Sequence, residues 1–434
     1  MKPSVMLICI DGMAAYYLPD PRCKMPNLRK LITKGAYVER MMSTYPSVTW
    51  PAHTTIVTGV FPQKHGVLGN GIADRSSRQL KEHYGDRFWT KEQVVRVPTL
   101  YDLAHEQGIK TAAICWPVTR GAGHIDFNIP EFYEQELFDS YATPLFWKEI
   151  KTLGLPVSSY GLWSKDHPRG MMQDWLTTEV VKHLIGKQKP GLILAHFLLA
   201  DSFQHDYGTR SPEVFWALEY LDERLGQIIE KLKEEGRYDS TNLFVVSDHG
   251  FMDTHSAIHP NVLFQQQGWY DSVSPEQSRV LAVSNDGSGY IYVFDEEYKD
   301  ELLAAIKKLL LATEGVAAVF ENRHFSGLGL PNVKDHPHQA DLIVEAGPGY
   351  LIQDAGGEDQ AVSRQCAKKA THGYLPGNEQ LKGVLIAHGP NIQPGHILSE
   401  GHIADIAPTI ADILGIQLTD TDGKILRSMI KLEE

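Results

Sequence analysis

Three hydrophobic runs that each end at an aspartate constrain this chain more than any other feature. Val5-Met6-Leu7-Ile8-Cys9-Ile10 precedes Asp11, residues 192–200 precede Asp201, and Leu243-Phe244-Val245-Val246-Ser247 precedes Asp248. Each run reads as a strand. Around and between them lie segments with apolar residues at helical spacing: 25–34, 100–107, 177–185 and 212–235. The last carries Leu218, Leu221, Leu225, Ile228, Ile229 and Leu232 and is stopped by Gly236. Shorter strands are expected at 36–41 and 110–115. This alternation implies an α/β fold: a mostly parallel central sheet flanked by helices on both faces. Ligands of such sheets bind beyond the carboxyl ends of the strands. Three distant segments therefore deliver acids to one edge of one sheet.

The pattern changes after about residue 275. Strands are expected at 289–294, 316–321 and 341–346, with an amphipathic helix at 297–312. This βαββ-like piece predicts a small α+β cap subdomain, residues 275–360, inserted into a catalytic core of residues 1–274 and 361–434. The chain re-enters the core with a strand at 383–387 and a last helix at 403–414. Residues 71–89 show neither period and read as a polar loop.

The net charge of −13 over 434 residues argues against a nucleic-acid polymer or an anionic membrane as partner, because both need a basic face. A small phosphate substrate is not excluded, since bound metal ions dominate their local field. The four cysteines form no CxxC pair, and Cys9 and Cys115 lie in apolar runs as buried thiols. No apolar run reaches the roughly 18 residues of a membrane span. The N-terminus enters a strand with no signal-peptide pattern, so a cytoplasmic protein is expected.

The acids have imidazole companions. Asp201 and His205 are four residues apart, on one face of a helical turn. Asp248-His249-Gly250 and His372-Gly373 place further donors at turns. Carboxylate oxygens mixed with imidazole nitrogens suit Zn²⁺, grouped as Asp11, Asp248, His249 and as Asp201, His205, His372. Taken singly, each pattern is also that of a helix cap or a hydrogen-bonded turn. Thr49 reads as a helix N-cap with Pro51 near the first turn. A hydroxyl there meets backbone N–H groups and a dipole that favours phosphate.

In chain order, Ile10-Asp11-Gly12, Pro46-Ser47-Val48-Thr49-Trp50-Pro51-Ala52-His53, Val57-Thr58-Gly59, Lys64-His65-Gly66-Val67-Leu68-Gly69-Asn70, Asp201 with His205, Asp248-His249-Gly250-Phe251-Met252 and His372-Gly373-Tyr374 resemble the type I phosphodiesterase/nucleotide pyrophosphatase family of the alkaline phosphatase superfamily. The resemblance spans nearly the whole chain. It implies an alkaline phosphatase-like core and two zinc ions, with other divalent metals suiting the same donors. It implies hydrolysis of phosphodiester or pyrophosphate bonds in small phosphate-ester or nucleotide substrates. Thr49 is implied as the nucleophile, forming a phosphothreonine intermediate, and as a ligand of the metal on Asp11, Asp248 and His249. Asn70 matches the family's asparagine that donates to a non-bridging phosphoryl oxygen; as part of Gly69-Asn70-Gly71 it is equally a turn residue. Trp50 stands near the family's nucleobase-stacking aromatic, and an aromatic on a helix's first turn is equally core. His53, His65, His255 and His259 read as structural histidines, and Asp20, Arg75 and Arg78 as solvated charges.

Related chemistries fit less well. Sulfatases need Cys or Ser followed by Pro and Arg, where this chain has Thr49, Trp50, Pro51 and His53. Cofactor-independent phosphoglycerate mutases use a serine and a large domain inserted before the later ligands. Phosphonoacetate hydrolases, the alternative with a phosphonate substrate, share the ligands, threonine and asparagine but hold the substrate carboxylate with a lysine pair. Lys187-Gln188-Lys189 precedes the Asp201 strand and belongs at the opposite sheet edge, leaving Lys81, Lys91 or arginines as substitutes. The non-enzyme alternative is an inert metal-binding module, which the complete set of Thr49, Asn70 and ligands opposes.

Overall fold

The computed structural model describes residues 3–83, 87–354, 360–364 and 366–431. At its centre is a nine-stranded mixed sheet in the spatial order His396–Leu398, Ala36–Met42, Gly383–His388, Thr241–Val246, Ser4–Ile10, Leu192–Phe197, Thr111–Trp116, Phe127–Pro130, with Gly401–His402 also paired to Ala36–Met42. The five strands from Thr241–Val246 to Phe127–Pro130 are parallel. Gly383–His388 runs antiparallel to both neighbours. Side chains alternate across the sheet. Met6, Ile8 and Ile10 pack under the helices Pro26–Lys34, Gly170–His183 and Pro212–Glu234. Val5, Leu7 and Cys9 pack under Thr49–Thr58, Leu100–Glu106 and Ile406–Leu414.

Register decides where the acids emerge. Ile10 is level with Phe197, and Cys9 with Val246. Asp11, the segment leading to Asp201, and Asp248 therefore leave the same sheet edge. One expectation needs correction here. The apolar run 192–200 is not one strand: it ends at Phe197, and the helix Leu199–Tyr207 starts at once, with Asp201 in its first turn. Leu199 and Ala200 are apolar because that turn is buried, and a short apolar run does not distinguish the two states. The helix start has no cap of its own. Asp174 accepts the N–H groups of Leu198 and Leu199 instead.

Residues 71–89 are not simply a loop. Gly71–Asp74 and Gln79–Glu82 form an antiparallel hairpin; 84–86 lie outside the described residues. Gln79–Glu82 is largely exposed, so it carries no apolar alternation to read. The hairpin packs on a four-stranded antiparallel sheet of Val280–Asn285, Ser288–Val293, Leu342–Ala346 and Val316–Glu321, whose other face is covered by the helix Lys299–Leu311. Arg75 is not merely solvated. It donates to the Gln339 carbonyl at 2.6 Å and to Asp341 at 3.0 Å, joining hairpin to sheet. Arg78 lies over the Phe294 ring, and Asp20 pairs with Arg22 at 2.6 Å. Cys9, Cys23 and Cys115 are buried free thiols. Among the described residues, no helix is long and apolar enough to cross a membrane.

Candidate active site at the sheet edge

The six acids and histidines converge in two groups, Asp11–Asp248–His249 and Asp201–His205–His372. Gly12 makes the turn after the first strand with φ of +68°. Its N–H donates to Asp248 Oδ1 at 3.1 Å, as does the His249 N–H at 3.0 Å. Asp11 Oδ2 lies 3.0 Å from His196 Nε2. One oxygen of Asp11 and one of Asp248 are thus held by protein, while Asp11 Oδ1, Asp248 Oδ2 and Asp201 Oδ1 are buried without a hydrogen-bond partner among the described residues.

The histidines complete the pattern. His205 Nδ1 lies 2.9 Å from the Ala370 carbonyl, His372 Nδ1 3.0 Å from that of Ser47, and His249 Nδ1 3.3 Å from that of Gly250. Each contact assigns the proton to Nδ1 and leaves an Nε2 lone pair. His249 Nε2 points between Asp248 Oδ2 at 3.1 Å and Asp11 Oδ1 at 3.4 Å. His205 and His372 Nε2 lie 3.4 and 3.5 Å from Asp201 oxygens. Burial lowers all three imidazoles well below their ordinary pKa, His372 to about 3, so they are neutral. Burial, with the Asp201 charge adding, pushes Asp11 up to about 7. Burial likewise raises Asp201 and Asp248. Lone pairs facing one another at these distances repel unless a cation lies between them, and oxygen and imidazole donors in threes suit such a cation.

Thr49 opens the helix Thr49–Thr58 and lines the same cavity, of about 310 Å³. It is not the N-cap. Val48 holds that position, and Thr49 is the first helical residue. The Trp50 N–H donates to Asn70 Oδ1 at 3.0 Å, which leaves the amide nitrogen as the side-chain donor of this cavity-lining residue. The Trp50 indole is completely buried against Val67, Val95 and Val118. It is core and cannot stack a substrate.

Sequence reasoning did not pick out several residues at this site. His196 sits inside the apolar strand Leu192–Phe197, between Asp11 and Glu131. Burial alone would lower its pKa, but hydrogen bonds to Asp11 and Glu131 outweigh that and raise it. His53 contacts the Thr49 carbonyl at 2.9 Å and lies beside His196. Cys9, His53 and His196 are a third cluster of donors. Burial, followed by Asp248 and Asp11, keeps the Cys9 thiol protonated, and His196 is committed to Asp11. None of His53, His65, His255 and His259 lines the cavity. Neither do the lysines considered for a carboxylate pair. Lys189 pairs with Glu235, Lys91 with Asp102, and Lys81 lies over Phe88. The lysine that does line the cavity is Lys368, bonded to Asp286 at 2.6 Å.

A mixed α/β sheet with acids and imidazoles gathered at its carboxyl edge around a helix-borne threonine defines an alkaline phosphatase-like protein. The sequence model described as "Type I phosphodiesterase / nucleotide pyrophosphatase" matches residues 5–375, and the chain belongs to that family. It is 24% identical over 432 residues to ectonucleotide pyrophosphatase/phosphodiesterase family member 3 of Rattus norvegicus, covering 97% of this chain and 43% of that protein. It is 29% identical over 432 residues to the Bos taurus member 3, covering 97% and 43%. It is 24% identical over 436 residues to venom phosphodiesterase CdcPDE of Crotalus durissus collilineatus, covering 96% and 45%. The chain thus spans less than half the length of these relatives. In structure it is similar to murine ectonucleotide pyrophosphatase/phosphodiesterase 5, with a TM-score of 0.72 at 16% identity, covering 99% of this chain and 100% of that one. By name these relatives are ecto-enzymes and a venom protein, which lends the cytoplasmic expectation no support.

Proposed function

We propose that this chain hydrolyses phosphodiester and pyrophosphate bonds of small nucleotide-type substrates, with Thr49 as nucleophile and two zinc ions held by Asp11, Asp248, His249 and by Asp201, His205, His372. The observation that carries the reading is the convergence of neutral Nε2 lone pairs and partnerless buried carboxylate oxygens in two groups beside one helix-start hydroxyl. The donor set fits the metal that the family uses. When bound, the ions supply Lewis-acid neutralisation of charge on the transferring phosphoryl group.

The chain's own residues do the rest. The start of the Thr49–Thr58 helix presents the positive end of its dipole to a phosphate at Thr49. Thr49 Oγ1 attacks phosphorus, the substrate's ester or phosphate oxygen departs, and water then cleaves the phosphothreonine. Asn70, fixed through its Oδ1 to the Trp50 N–H, donates through Nδ2 to a non-bridging oxygen. Asn70→Ala is expected to lower kcat by about 100- to 1,000-fold, the cost of one such donor, with metal content unchanged. A kcat within threefold of wild type removes Asn70 from the mechanism. Murine ectonucleotide pyrophosphatase/phosphodiesterase 5 was made inactive by a threonine-to-alanine change and holds AMP in that form, in line with both the nucleophile and the substrate class.

The test compares bis-p-nitrophenyl phosphate, p-nitrophenyl phosphate and phosphonoacetate on zinc-loaded and chelated protein. Diester hydrolysis faster than monoester, lost on chelation, is expected. Phosphate release from phosphonoacetate alone gives the protein to C–P bond hydrolysis, and no turnover with two metals bound makes it an inert metal-binding module.

A further inference from the structure

The cavity walls are acidic apart from the metal-group residues: Glu82, Glu131, Asp166, Asp286 and Asp354 all line it. A polyanionic substrate would meet repulsion there. Among the described residues, a single lysine or arginine side chain lines the cavity, that of Lys368. Its position is tied to the Asp201 group. The Lys369 N–H donates to the His205 carbonyl at 2.7 Å, His205 Nδ1 meets the Ala370 carbonyl, and His372 ends the same short strap. The side chain is about one-third exposed, and among the described residues its ammonium bonds Asp286 Oδ1 at 2.6 Å, one of the three hydrogen bonds it can donate.

Asp286 is held as firmly. It sits at the turn between Val280–Asn285 and Ser288–Val293 with φ of +63°. Asn285 Oδ1 accepts the N–H groups of Asn70 and Gly71. The Gly287 N–H donates to the His372 carbonyl at 2.8 Å. Gly373, at φ of +87°, leaves room for the Asn285 carbonyl where a Cβ would overlap it. Despite burial, the Lys368 ammonium 2.6 Å away holds the Asp286 carboxyl below its ordinary range.

We propose that Lys368 is the subsite for a second anionic group on the substrate, the phosphate adjoining the scissile phosphorus in a pyrophosphate-linked nucleotide, and that Asp286 competes with that group for the ammonium. A compact charge with rotatable donors suits a phosphate oxygen. A carboxylate one carbon from phosphorus offers the same chemistry. The inference rests on the hydrolase reading for its substrate but not for its test.

In a zinc-loaded Thr49→Ala background, which cannot consume ligand by the proposed route, calorimetry gives the ratio of AMP to ADP dissociation constants. Lys368→Met is expected to lower that ratio about tenfold, the worth of a charge-assisted hydrogen bond. Lys368→Arg should keep most of it. Asp286→Asn, which retains a residue tolerant of positive φ, should raise it. Opposite signs identify competition for one cation, whereas a pair that only ties the strap to the sheet moves both variants the same way. Shifts of the same sign, or none, overturn the proposal. A ratio that responds only for phosphonoacetate against methylphosphonate overturns the phosphate assignment in favour of a carboxylate. If the parent chain hydrolyses no diester while the ADP ratio responds as stated, the hydrolase reading fails and the subsite stands.

Discussion

Thr49→Ala is expected to cut turnover of bis-p-nitrophenyl phosphate by about 10,000-fold or more while metal content stays near two per chain. The loss is large because the covalent route ends with the hydroxyl. Structural damage would be a poor explanation of it. The cap position is Val48 rather than Thr49, and the Trp50 N–H at this helix start is taken by Asn70. Alanine at a first helical position is a good helix former. The six other donors stay in place, and each histidine keeps its carbonyl partner. The measurement is kcat/KM beside metal analysis and a melting curve. Activity within tenfold of wild type at unchanged metal content would remove the covalent mechanism and leave Thr49 as a phosphate-positioning residue.

How much of this was legible depends on what each residue's neighbours had to supply. The strands ending at Asp11 and Asp248 could be read because strands buried on both faces are continuous apolar runs. The six metal-group residues could be read because acids and histidines at strand ends and turns have few other uses in such number. Residues 198–200 were assigned to the strand, since the apolar run continues from strand into helix. His196 looked like core because it is core, and its partner Asp11 is 185 residues away in the chain. Trp50 could not be assigned, because only the packing of Val67, Val95 and Val118 around it decides between ring stacking and burial. Lys368 and Asp286 lay in stretches without period. They become a site only when the 285–287 turn docks on the Asn70 and His372 loops.

Stripping the metal is expected to abolish turnover and to lower Tm by several degrees, with the difference growing from pH 5 to pH 8. The melting argument follows from the carboxylates. Asp11, raised to about 7 by burial and by the Asp201 charge, and Asp201 and Asp248, raised mainly by burial, have folded pKa values above their unfolded ones. Asp11's contribution in chelated protein is fully present below about pH 4 and is lost as pH rises through about 7, and those of Asp201 and Asp248 fall in the same direction. For Asp11 alone, a shift of this size corresponds to roughly 4 kcal/mol at the alkaline limit. Bound zinc would replace the repulsion with ligation, and at a hundred times its dissociation constant would add about 2.7 kcal/mol. It also competes with fewer protons as pH rises, so both effects widen the gap in the same direction. Asp201→Ala should bind one equivalent where the parent binds two, because its group keeps only His205 and His372. A chelated protein whose Tm is unchanged and independent of pH over this range would mean that the facing lone pairs are not held apart at any cost, and two full equivalents on Asp201→Ala would overturn the division of the six donors into two groups.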